Sequence, residues 1–221
     1  MPTVLVTGAS RGIGREFVRQ YREAGWRVLA TCRDPQGAGY AKGEAFELDV
    51  ADPVNIKNLV KELEGESIDV LINNAGINLA KQSSFGNLDY DAWEEVMWVN
   101  VLAPLRIAEC FAPHVERSER KQIIFLSSIM GSIAGNSGGM PIYRSSKAAL
   151  NQAVQSVTPA LRARGVTCLL IHPGWVKTDM GGPSAAIDVQ TSVLGMRETI
   201  EGLTPSMSGA YVNYDGSTIA W

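Results

Sequence analysis

Short apolar runs alternate with amphipathic stretches along the whole of the 221-residue chain. Thr3, Val4, Leu5 and Val6 are β-branched or apolar on both faces, the pattern of a strand buried inside a parallel sheet. Similar runs at 27–31, 45–48, 70–72, 121–126 and 166–171 predict further strands, and 209–214 suggests a closing one. Between them, apolar residues recur at helical spacing. Ile13, Phe17, Tyr21 and Ala24 mark one helix, ended by Gly25, and Val54, Leu59, Val60 and Leu63 mark another that begins near Pro53. Trp93, Val96, Met97, Val101 and Ile107 mark a long helix over 91–111; Leu150, Val154, Val157 and Leu161 mark one over 143–165; a last helix lies near 189–200. Strands alternating with helices predict an α/β fold, a Rossmann-type doubly wound parallel sheet flanked by helices, in a single domain over 1–221.

The turn between the first strand and helix reads Thr7-Gly8-Ala9-Ser10-Arg11-Gly12-Ile13-Gly14. Gly8 can take backbone angles closed to other residues, Gly12 can let a diphosphate approach without meeting a Cβ, and Gly14 can let the helix pack closely on the strand. The helix N-terminus then offers unpaired N–H groups and a partial positive charge to the phosphates. Strand, turn and helix together predict a dinucleotide site.

In such a site the residues beyond the second strand face the adenosine ribose, and a carboxylate there binds the 2′-hydroxyl of NAD. This chain has Cys32 and Arg33 at that point, with Asp34 one residue further on. Arg33 and Arg11 could clamp a 2′-phosphate through charge-assisted hydrogen bonds, which favours NADP(H) over NAD(H). Asp49 and Val50 follow the third strand, where they could meet the adenine edge; Asp49 or Asp52 could also cap the next helix. Asn73-Asn74-Ala75-Gly76 ends the fourth strand, its small residues letting backbone approach the cofactor ribose and its amides able to tie neighbouring strands.

Composition narrows the partners. A net charge of −3 without a basic stripe argues against nucleic acid. The three cysteines, Cys32, Cys110 and Cys168, lie amid apolar residues without metal-like spacing, which predicts reduced core thiols and no metal. The longest uncharged run, 123–143, is broken by Gly, Ser, Asn and Pro and predicts no membrane span. No charged-then-apolar leader precedes the glycine turn, so a cytoplasmic protein is expected.

Ser127 and Ser128 end the fifth strand, where open α/β sheets place their ligands. Tyr143 and Lys147, one helical turn apart, share a face. Asn100 lies in mid-helix amid apolar neighbours, where an amide needs a partner or a job. His114 and His172 read as structural, since neither belongs to a triad or metal pattern.

With these motifs the chain resembles the short-chain dehydrogenase/reductases over nearly its whole length. Thr7-Gly8-xxx-Gly12-x-Gly14, Asn73-Asn74-Ala75-Gly76, Tyr143-xxx-Lys147 and Pro173-Gly174 occur in family order. Within that family, the Gly-Ser-Ile-Ala-Gly-Asn run at 131–136, Tyr143-Arg144, the stretch 172–182 and Tyr214-Asp215-Gly216 resemble Sniffer-type carbonyl reductases and their C-factor-like relatives.

The resemblance implies hydride transfer between a nicotinamide and a carbonyl or alcohol, served by Asn100, Ser128, Tyr143 and Lys147. Tyr143 would give its proton to the oxygen, and the Lys147 ammonium would favour the phenolate and bring its pKa toward the working range. Ser128 would hydrogen-bond the oxygen, with Ser127 as its close rival and family alignment deciding between them. Lys147 would also hold the nicotinamide ribose, and Asn100 could anchor a water passing protons to it. Cofactor contacts are implied at Gly8, Ser10, Arg11, Gly12, Ile13, Gly14, Arg33, Asp49, Val50, Asn74, Ala75, Gly76, Tyr143, Lys147, Pro173, Gly174, Val176 and Thr178. A homodimer or homotetramer acting on a small-molecule carbonyl or alcohol is implied as well. Met130, Ile133, Met140, Trp175 and Met180 would line an apolar pocket, over which the loop 178–187 would close. The alternative is an NADP-binding sensor or signalling protein with little catalysis, against which the intact tetrad speaks.

Overall fold

A computed structural model describes residues 1–41 and 44–221. In chain order the elements are β1 (Thr3–Val6), α1 (Gly12–Glu23), β2 (Arg27–Cys32), β3 (Ala45–Glu47), α2 (Pro53–Glu62), β4 (Val70–Asn73), α3 (Tyr90–Met97), α4 (Ala103–Glu116), β5 (Gln122–Leu126), α5 (Pro141–Ala163), β6 (Thr167–His172), α6 (Val189–Glu201) and β7 (Ala210–Asn213). The strands form a seven-stranded sheet in the order β3-β2-β1-β4-β5-β6-β7, and every neighbouring pair runs parallel. This is the doubly wound Rossmann-type arrangement.

Helices cover both faces, which is why the central strands read as continuous apolar runs rather than alternating ones. Leu5, Leu71, Ile123 and Leu170 point into one layer with Ile56 of α2, Phe111 of α4 and Val154 of α5. Val4, Val6, Ile72, Ile124 and Ile171 point into the other with Phe17 and Tyr21 of α1 and Val193 and Met196 of α6. The strand order reverses between β1 and β4, so the glycine turn and the Asn73–Gly76 segment flank the crevice where such sheets bind ligands.

The helix faces need correction in three places. Val54 is 64% exposed and Ile56 takes its place in the core. The cause is the cap: Asp52 accepts a hydrogen bond from the Val54 amide, which puts Val54 in the outward first turn of α2. Ala24 lies beyond the last turn of α1 and is exposed. The long helix around Asn100 is not one uniform α-helix, because a π-turn over Trp98–Leu102 joins α3 to α4. Its 27 residues, Tyr90–Glu116, are long and apolar enough to pass for a membrane span, but 56% of its most apolar stretch is buried inside the protein.

Candidate active site

The glycine turn is built as its residue types require. Gly8 and Gly12 have φ of +68° and +53°, a region L side chains rarely occupy. A Cβ on Gly14 would meet Asn74 Nδ2 at 2.6 Å, so α1 packs against the β4 segment at a distance only glycine allows. Asn74 Nδ2 donates to the carbonyls of Thr7 and Gly8 at 2.7 and 3.2 Å, and Thr7 Oγ1 accepts from the amides of Asn74 and Ala75, both at 3.0 Å. Asn74 thus ties the strands as expected, whereas both amide atoms of buried Asn73 have no partner among the described residues. Arg11 heads α1 with no side-chain cap, and no acidic residue sits in the first turn, so the positive end of the helix stays free to meet an anion. A Cβ on Gly12 would meet only the Thr178 side chain, at 3.4 Å. A glycine cradle under an uncapped helix end fits the diphosphate of a dinucleotide.

Beyond the end of β2, Arg33, Asp34, Gln36, Ala45 and Glu47 line an open cleft of about 450 Å³. The carboxylate of Asp34 turns back to accept from the Gly37 amide at 2.8 Å. The paired arginine clamp is not assembled: Arg11 is drawn to Asp179 at 2.8 Å, both about three-quarters exposed, and Arg33 alone faces the cleft. Asp49 spends a carboxylate oxygen on the Ala51 amide at 2.9 Å, and Asp52, not Asp49, caps α2. Tyr40 was not legible as a site neighbour. Its hydroxyl donates to the Ala9 carbonyl at 2.8 Å, and the guanidinium groups of Arg15 and Arg22 lie 5.9 and 5.8 Å from its ring centre. A lone tyrosine in a polar loop has no spacing that announces this.

On α5, Tyr143, Lys147 and Asn151 occupy one face on successive turns. Lys147 is buried and donates from Nζ to the Leu126 carbonyl at 2.9 Å. Burial lowers its pKa to about 8. Burial likewise pushes the Tyr143 phenol up to about 12, only partly offset by the Ser128 hydroxyl beside it. The shift is opposite in direction to the expected lowering: burial dominates, and Lys147, its ammonium 5.7 Å from the ring centre and bonded to the Leu126 carbonyl, does not offset it. At neutral pH Tyr143 carries its proton.

The two serines separate by geometry. Ser127 donates to Asn151 Oδ1 at 2.5 Å inside the core. Ser128 accepts locally from the Met130 amide at 3.2 Å, and its hydroxyl is the one that lowers the Tyr143 phenol. Asn100 lies inside the π-turn, a distortion common at functional sites. Its side chain accepts from the Ile77 amide and donates to the Ile77 carbonyl, both at 2.9 Å, and to Ser146 Oγ at 3.1 Å. It fixes the segment after Gly76, and its Oδ1, which among the described residues accepts only the Ile77 amide, keeps a second lone pair. His172 is pushed down to about 4 by burial and by nearby Lys147, and His114 is lowered by burial while its Nε2 sits 3.1 Å from the Leu63 carbonyl.

The loop after β6 lies against the glycine turn. Besides the Arg11–Asp179 pair, Lys81 donates to the Met180 carbonyl at 2.9 Å and Trp175 Nε1 to the Gly181 carbonyl at 2.9 Å. Ile133, Trp175 and Met180 are exposed, as is Ile129, so they form apolar surface rather than an enclosed pocket.

The family model for short chain dehydrogenases matches residues 2–187. The C-signal of Myxococcus xanthus is 42% identical over 155 residues, 70% of this chain and 93% of that protein. The structure of the carbonyl reductase Sniffer of D. melanogaster is similar at a TM-score of 0.93 and 33% identity, with 100% of each chain covered. An NADPH-bound carbonyl reductase from chicken fatty liver is similar at a TM-score of 0.89 and 34% identity, covering 100% of this chain and 99% of that one.

Proposed function

The chain belongs to the short-chain dehydrogenase/reductase family of NAD(P)H-dependent oxidoreductases, and from that premise we propose that it reduces an uncharged aldehyde or ketone to the alcohol with NADPH. The observation that carries this reading is the half-buried Tyr143, its phenol protonated and the Ser128 hydroxyl beside it, with the buried Lys147 one turn along the same helix face.

A bound nicotinamide supplies the hydride; the chain's residues do the rest. Gly8, Gly12, Gly14 and the amides opening α1 receive the diphosphate, and Arg33 receives a 2′-phosphate, which makes NADP(H) the preferred cofactor. Tyr143 releases its proton to the substrate oxygen, and Ser128 donates a hydrogen bond to the same oxygen as charge grows there. Lys147 holds the nicotinamide ribose and steadies the phenolate left on Tyr143. Asn100 is a positioning residue that shapes the Ile77 backbone. Thr178 and Val176, in the loop touching Gly12, receive the carboxamide. The apolar surface of Ile133, Trp175 and Met180 favours an uncharged substrate. A cytoplasmic homodimer or homotetramer accords with the family.

The test is a panel of aldehydes and ketones with NADPH and with NADH, following cofactor oxidation. A second reading, an NADP-binding sensor with little turnover, rests on the likeness to the C-signal. Tight NADPH binding with no carbonyl reduced across the panel would establish it instead.

A further inference from the structure

Beneath the reactive pair, Tyr211 on β7 is buried at 1% exposure, and its hydroxyl donates to the Ser128 carbonyl. That carbonyl already accepts from the Gly131 amide at 2.8 Å. The tyrosine hydroxyl is therefore not needed to satisfy it; the bond adds a second restraint on the backbone that aims Ser128 Oγ at Tyr143. Neighbouring restraints act on the same segment. Asn151, one turn beyond Lys147, accepts from Ser127 Oγ and donates to the Gly131 carbonyl at 3.4 Å, and Lys147 holds the Leu126 carbonyl. Gly131 is pressed against α5 so closely that a Cβ would lie 2.9 Å from the Lys147 carbonyl carbon. On the other side the Tyr211 ring packs against Trp221, with centroids 5.3 Å apart. Ser128 is thus held between α5 and β7, and Tyr211 is the only described side chain outside its own loop that bonds its backbone.

We propose that Tyr211 is a positioning residue for carbonyl reduction, acting through Ser128 by fixing the end of β5 so that the serine hydroxyl meets the substrate oxygen. This rests on the reductase reading above. Misplacing a reacting group by about 1 Å costs about a hundredfold, so losing one of several restraints is expected to cost about tenfold in kcat. NADPH affinity should stay within about twofold, because the Tyr211 hydroxyl bonds the Ser128 carbonyl and its ring packs on Trp221, neither of which is assigned to the cofactor.

The decisive experiment is a double-mutant cycle on a carbonyl that the wild type reduces, using Tyr211→Phe, Ser128→Ala and the double variant, with NADPH Kd, KM and kcat measured for each. Tyr211→Phe should lower kcat about tenfold in the wild type and less than twofold in the Ser128→Ala background, since there is no longer a hydroxyl to aim. Trp221→Leu, which loosens the Tyr211 ring and keeps its hydroxyl, should show a smaller loss with the same dependence on Ser128, and it serves if Tyr211→Phe fails to fold. Unchanged kcat in both variants, or equal losses with and without Ser128, overturns the proposal while leaving the reductase reading intact. A wild type inert toward the whole panel overturns both.

Discussion

Lys147 holds its ammonium 5.7 Å from the centre of the Tyr143 ring. A buried ammonium bonded to the neutral Leu126 carbonyl is costly, and the fall of its pKa to about 8 expresses that cost. At pH 7 the lysine is protonated in folded and unfolded chains alike, so the cost is fully present. It fades as pH rises from 8 toward the ordinary lysine value. Lys147→Met should therefore stabilise the fold at pH 7 by about 1–3 kcal/mol while removing turnover and weakening NADPH binding. Urea unfolding at pH 7 and 9.5 checks this, and a variant less stable than wild type at pH 7 would contradict it.

Tyr143→Phe keeps the ring and removes the proton. General acid catalysis contributes about 10²–10⁴-fold, so kcat should fall at least about a hundredfold while the NADPH dissociation constant holds. Near-normal kcat would reject Tyr143 as the acid.

Arg33 faces the cleft beyond β2 without Arg11, so on the proposed NADPH reading Arg33→Asp should remove a preference for NADPH of about tenfold or more. Arg11 can join only by leaving Asp179. Exposed pairs are weak, and Asp179→Ala should tighten NADPH by no more than about fivefold with NADH unchanged. Titration calorimetry with both cofactors decides; equal affinities in the wild type sink the phosphate assignment.

Burial, then Lys147, pushes His172 down to about 4. Between pH 6.5 and 4 the unfolded chain takes up a proton that the folded site refuses, so stability falls as pH falls through that window. The loss between pH 7 and 5 should be about 2 kcal/mol from this residue. His172→Asn should flatten the corresponding part of the unfolding curve, and an unchanged slope would show that His172 is not responsible.

Much of this protein was legible in local pattern. The apolar runs predicted the strands because a strand covered on both faces has no polar side, and Gly8, Gly12 and Gly14 marked their turn because no other residue tolerates those angles and approaches. Tyr143 and Lys147 were readable because helical spacing alone puts them on one face. Tertiary structure decided what depends on neighbours remote in the chain. Arg11 found Asp179, 168 residues away, and Tyr211 reached Ser128, 83 residues away. It also turned the expected pKa shift of Tyr143 upward, since the sign of such a shift depends on how much water the fold removes, and desolvation is a property of the packed environment rather than of residue spacing.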